Sequence, residues 1–155
     1  AALLVENNVS VLLRRVHDLP LLEDEDVNLP YKNAKLLSDV GVLVALQNEG
    51  DMERMQTRNL PFYAGTCAAW GMDKEKALQL ITSNTAKILG IEANYGTLEA
   101  GKSATLFISD GDALDMKTNT ISAAFIDGRQ ISLESHHTEL YKRYKEKFES
   151  NKVTE

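Results

Sequence analysis

The five residues VLVAL, positions 42 to 46, are apolar without interruption and stop abruptly at QNEGD. A strand-length run with no polar residue on either alternate must be buried on both faces, the condition of a strand inside a parallel sheet. The stretch VSVLLRRV, 9 to 16, rich in β-branched residues, is predicted as a second strand. Between them Pro30 suits a first helical position, and Tyr31, Ala34, Leu37 and Val40 recur at helical spacing until Gly41 stops the run. Strand, helix and strand in that order make a βαβ unit. Its two edges carry open N–H and C=O groups, so neighbouring strands are expected from residues outside the chain or from a second copy.

The remainder divides by texture. A polar loop at 47–58 leads to Pro61, which opens a small-residue helix, FYAGTCAAW, ended by Gly71. Asp73 is placed to cap a further helix running to Gly90, with a break near Thr82 to Asn84. ATLFIS (104–109) and ISAAFID (121–127) read as strands around the turn-rich GDALDMKTNT, and Asp127-Gly128 signals a hairpin into RQISL. Leu140, Tyr141, Tyr144 and Phe148 then share one face of a helix starting near Ser135.

With 155 residues, 43% apolar and 26% charged, the chain lies in the globular range. A net charge of −6 with scattered basic residues offers no positive patch for nucleic acid or an anionic membrane surface. No apolar run approaches the roughly 18 residues that span a bilayer. The protein is expected to be soluble, cytoplasmic or bacterial periplasmic, with a small molecule as its partner. The opening AALLVENNVS has no initiator Met, basic segment or cleavage site. It reads as the last turn of a helix closed by Asn7 and Asn8, so the chain is expected to belong to a longer one.

At GTLEAGKSATLFISDGDAL, 96 to 114, the chain resembles the C-terminal signature of the amidohydrolase superfamily, G-S-L-E-x-G-K-x-A-D-L-V. The preceding helix ALQLITSNTAKILGI (77–91) and the following hairpin AAFIDGRQI (123–131) agree with it, and the likeness points to the imidazolonepropionase-like branch. The resemblance implies an α/β chain forming the C-terminal part of a two-domain hydrolase. Residues 1–93 would be the last two βα units of a TIM-type barrel, 94–134 the C-terminal strands of a composite β-sandwich, and 135–155 a terminal helix and tail. It further implies hydrolysis of a linear or cyclic amide C–N bond by water on a divalent metal, zinc first. Most of that metal's ligands would lie in the missing N-terminal part. The other reading is a metal-free barrel relative acting as a binding or scaffold protein.

In that superfamily the last barrel strand ends in Thr-Asp or Ser-Thr-Asp, whose Asp binds the metal and takes a proton from the attacking water. Setting GVLVALQNEG against it places Gln47 and Asn48 on the hydroxyl positions and Glu49 on the Asp, so Glu49 is the candidate catalytic carboxylate and metal ligand. A glutamate is longer by about one bond, roughly 1.5 Å. Glu49 could equally be the first exposed residue of a loop. His17, after the first strand, is assigned to substrate contact with Asp18 beside it, against the alternative of a structural hydrogen bond. Arg54 and Arg58 could clamp a substrate carboxylate or pair with nearby acidic residues.

Other features are weaker. The run EDED at 23–26 is a solvated loop, or a lip favouring a cationic substrate. His136 and His137 are adjacent on a helix, where their side chains diverge by roughly 100° and do not chelate one ion. Cys67 lacks an activating neighbour and is expected in the core. The glycines of GTLEAGK do not match a phosphate loop and mark turns. Ser103 and Thr105, where the signature often carries Asp, bear on packing.

Overall fold

The computed structural model describes residues 1–14, 16–20 and 22–151. Arg15, within the predicted first strand, and the tail 152–155 lie outside the described residues. The two-stranded sheet packs on helices and a separate three-stranded sheet follows, and the order of elements follows the predicted one.

Helix α1 (Ala2–Glu6) ends at Asn7 and leads to β1 (Val11–Leu13). Helix α2 (Leu29–Asp39), with Pro30 in its first turn, returns the chain to β2 (Val44–Leu46), whose three residues are all buried. The strands are parallel, with Val11 opposite Val44 and Leu13 opposite Leu46. The βαβ unit is therefore present, with both strands shorter than the apolar runs that announce them. Beyond Leu13 the ladder adds one bond, from Gln47 N to Leu13 O at 2.9 Å.

Two groups on the other edge of β2 are met from within the chain. Leu46 N donates to Leu80 O at 3.0 Å, and Asn84 Nδ2 donates to Val44 O at 2.9 Å. Leu80 and Asn84 belong to a segment where two short helices, α4 (Lys74–Gln79) and α5 (Ser83–Leu89), meet. The predicted helix break falls slightly earlier, before Ser83, and the chain uses it to satisfy strand groups that would otherwise be buried without partners. Asp73 caps α4 by accepting from Lys76 N at 3.1 Å.

Between β2 and α4 the polar loop contains a 3₁₀ helix (Glu53–Asn59), followed by α3 (Leu60–Ala69). The core joins these parts: Val16, Ala34, Val42, Val44, Leu46, Ala64, Cys67, Met72, Ala77, Leu80 and Leu114 form one buried cluster. Leu114 comes from the second sheet's side of the chain. Gly65 makes its entry possible, because a Cβ there would lie 2.1 Å from Leu114 O. Lys74 Nζ and Asp112 Oδ2, 2.7 Å apart, bridge the same junction. The hydrogen bond from Lys74, with that from Leu114 N behind it, holds the Asp112 carboxyl below the usual carboxylate range.

The second sheet is an antiparallel meander of β3 (Leu106–Ser109), β4 (Ile121–Ile126) and β5 (Arg129–Gln130). Asp127 and Gly128 both take positive φ, +47° and +77°, as a two-residue hairpin turn of the type matching strand twist requires. Ser103 Oγ donates to Asp127 Oδ1 at 2.5 Å, and Asp127 N donates to Thr105 Oγ1 at 3.2 Å, so these two hydroxyls hold the hairpin. Helix α6 (His136–Asn151) follows, with Tyr141, Tyr144 and Phe148 exposed.

Candidate active-site rim

Parallel strands deliver their C-terminal ends to one edge of a sheet, and the first polar residues after β1 and β2 therefore become neighbours. Arg14 directly follows Leu13, and Glu49 lies three residues past Leu46. Their side chains meet, with Arg14 Nη1 3.3 Å from Glu49 Oε2. The turn that presents Glu49 is local: Gln47 Oε1 accepts from Glu49 N at 2.5 Å, tying the amide expected in place of a hydroxyl to the backbone. Asn48 Nδ2 is buried and has no acceptor among the described residues.

Arg14 is the rim residue that the sequence reading missed. Its signal was available, since it is the first charged residue after an apolar strand, but nothing local marks its partner 35 residues away.

His17 makes its contacts with the helices. Its Nε2 lies 2.7 Å from Thr66 Oγ1, its ring meets Tyr63 edge-on at 4.9 Å, and Tyr31 lies at 6.0 Å. These partners sit on α2 and α3, so His17 fastens the segment after β1 to the helix layer. Thr66 Oγ1 donates its single proton to Phe62 O at 3.0 Å. It therefore accepts from His17 Nε2, and Nδ1 is left for other contacts. Asp18 Oδ1 accepts from Leu19 N at 2.9 Å, a local turn.

Arg54 and Arg58 lie exposed on the 3₁₀ helix, and neither forms an ion pair among the described residues. The acidic run contributes one anchor: Asp26 Oδ2 bonds Lys32 Nζ at 2.7 Å, which together with Asn28 N holds the Asp26 carboxyl below its ordinary value. Cys67 is 1% exposed, and burial pushes its thiol up to about 11. His136 and His137 open α6, exposed, with ring centroids 6.5 Å apart. At the opposite end of β2 from Glu49, Ser38, Gly41, Lys76, Gln79 and Asn84 help line a cavity of about 240 Å³.

Parallel strands backed by helices, with charged groups gathered at the C-terminal strand ends, define an α/β chain of the TIM-barrel-related class. The amidohydrolase family matches residues 33–131, and the chain belongs to it. Imidazolonepropionase of Flavobacterium psychrophilum is 28% identical over 112 residues, 68% of this chain and 27% of that protein. That of Symbiobacterium thermophilum is 32% identical over 83 residues, 53% of this chain and 20% of its own length. The chain thus spans about a quarter of the curated relatives it matches. Among solved structures, an amidohydrolase from Thermotoga maritima MSB8 superposes with a TM-score of 0.67 at 27% identity, covering 84% of this chain and 33% of that one. Molinate hydrolase, 22% identical with a TM-score of 0.52, covers 70% of this chain and 27% of its own, a likeness of fold.

The family generally uses a divalent metal. The described residues of this chain do not by themselves fit one. Among the described residues no three His, Cys, Asp or Glu side chains are grouped to hold an ion. The carboxylate of Glu49 faces the guanidinium of Arg14, and His17 Nε2 is engaged by Thr66. No helix of the described residues is long and apolar enough to cross a membrane.

Proposed function

We propose that the chain works as the C-terminal part of a larger hydrolase that cleaves the C–N bond of a linear or cyclic amide other than a peptide. In this reading β1 and β2 are the last two strands of a TIM-type barrel (residues 1–93), β3 to β5 are returning strands of a β-sandwich (94–134), and 135–155 form a terminal helix and tail. The observation that carries it is the meeting of Arg14 and Glu49 at the C-terminal ends of parallel strands. That is the end at which TIM-barrel active sites are built. Membership of the amidohydrolase family supplies the reaction class.

Glu49 is the rim's carboxylate and carries a proton from the attacking water toward the leaving nitrogen. His17, through Nδ1, and Asp18, Arg54 and Arg58 are the substrate contacts. Ligands for a divalent ion, with zinc the choice the family resemblance implies, come from outside these 155 residues. The test is ring opening of hydantoin and p-nitroaniline release from p-nitroacetanilide by the protein at its natural length, beside the 155-residue chain. Turnover by the long protein and none by the short chain is expected. Absence of turnover by the long protein with any amide would refute the hydrolase.

The Arg14–Glu49 pair also favours a second reading, a relative in which the carboxylate serves as counter-ion and the protein binds without catalysis. Metal analysis of the natural-length protein separates the two. A purified protein free of zinc, manganese and iron, with no hydrolysis restored on adding them, would decide for the binding protein.

A further inference from the structure

We propose that Arg14 is itself a catalytic residue of this rim: a guanidinium N–H donates to the carbonyl oxygen of the amide being cleaved, and Glu49 positions it there. The inference rests on the C–N hydrolase reading and adds to it the group that receives the developing charge.

The pair is well exposed, Arg14 by 41% and Glu49 by 76% of the side chain. Exposed pairs of this kind contribute little to the stability of a fold. Stability therefore does not account for an arginine at this position. What the pair fixes is direction, because one ion-pair contact holds a long, flexible side chain at the strand end.

Arginine has several N–H donors and no acceptor. One is engaged by Glu49, and among the described residues the guanidinium has no second partner. Asn48, adjacent to Glu49, adds an amide N–H without an acceptor at the same strand end. Arg14 and Asn48 thus keep N–H donors open at this strand end.

Charge then selects among ligands. Arg14 and Glu49 together are neutral, and a second carboxylate arriving at Arg14 would meet the negative charge of Glu49. A neutral carbonyl oxygen meets no such repulsion. During hydrolysis a water oxygen bonds to the carbonyl carbon while the C=O π pair moves onto the oxygen. Return of that pair expels the amine nitrogen, which takes up the proton the water has given up, leaving a carboxylic acid and an amine. Arg14 keeps all its protons throughout and bonds more strongly to the oxyanion than to the starting carbonyl. A donor that gains strength only as the charge develops lowers the barrier rather than tightening ground-state binding.

The experiment is steady-state kinetics of the natural-length protein and its R14Q, R14K, E49Q and R14Q/E49Q variants on hydantoin and p-nitroacetanilide. Circular dichroism checks folding, and R14K carries the test where R14Q does not fold. The expected result is a fall in kcat of about 100-fold in R14Q with KM little changed. Lysine should recover part of the rate, because it restores the charge without the planar fork. The double variant should be less impaired than the product of the single losses, as for residues acting as a unit. An unchanged kcat in folded R14Q, or a loss confined to KM, overturns the role of Arg14 and leaves the hydrolase standing. No hydrolysis by the wild-type protein overturns both.

Discussion

Substitution of Gly65 by alanine should destabilise the protein, although Gly65 sits inside α3, where alanine ordinarily stabilises a helix by about 1 kcal/mol. The added methyl would lie 2.1 Å from Leu114 O and 3.1 Å from its carbonyl carbon, whereas ordinary contact begins at 3.4 Å. The obstacle is backbone, so no rotamer relieves it. Helix and loop must part by on the order of 1 Å, a displacement that close-packed interiors do not absorb freely. Leu114, 9% exposed, is then drawn partly out of the main core. Full burial of a leucine is worth about 1.5–3 kcal/mol, and the void left behind adds to the loss. Set against the helical gain, the net expectation is about 2 kcal/mol of destabilisation. Urea unfolding of Gly65→Ala and wild type measures it. A Gly65→Ala protein as stable as wild type, or more so, would refute the docking of Leu114 against α3. Combination with Leu114→Ala supplies an internal check, since the two losses share a contact and should sum to less than their total.

Cys67 has its folded value pushed from 9.0 up to about 11. Between those pH values the unfolded chain loses the thiol proton while the folded chain keeps it, so the unfolded state binds fewer protons and stability falls as pH rises. The fall should be about 2 kcal/mol by pH 11. Stability measured against pH in Cys67→Ala should lack that component, and an identical slope in both proteins would contradict the burial. Asp73→Ala removes the cap on Lys76 N and should cost about 1 kcal/mol. A neutral result in chemical denaturation would place the start of α4 elsewhere.

Much of the fold was legible because the patterns that specify it are local. VLVAL marked a buried parallel strand, Pro30 and Gly41 bracketed α2, Asp73 announced α4, and Asp127-Gly128 fixed a hairpin. The run RQISL promised more strand than the two residues of β5, although Ile131 N adds one further bond to Ala124 O at 2.9 Å. At the rim, Glu49 was singled out from the motif, whereas Arg14 was passed over. The Thr66 hydroxyl that His17 Nε2 meets lies 49 positions away, out of reach of a local pattern.

The sequence alone determined where the chain becomes strand or helix and which residues must leave water, since backbone preference and hydrophobic period act over a few residues at a time. Tertiary structure decided that Arg14 faces Glu49, that Leu80 and Asn84 close the edge of β2, and that Leu114 enters the core past Gly65. Each of those meetings joins segments far apart along the chain. Their geometry is set by how whole elements pack, and no local pattern carries it.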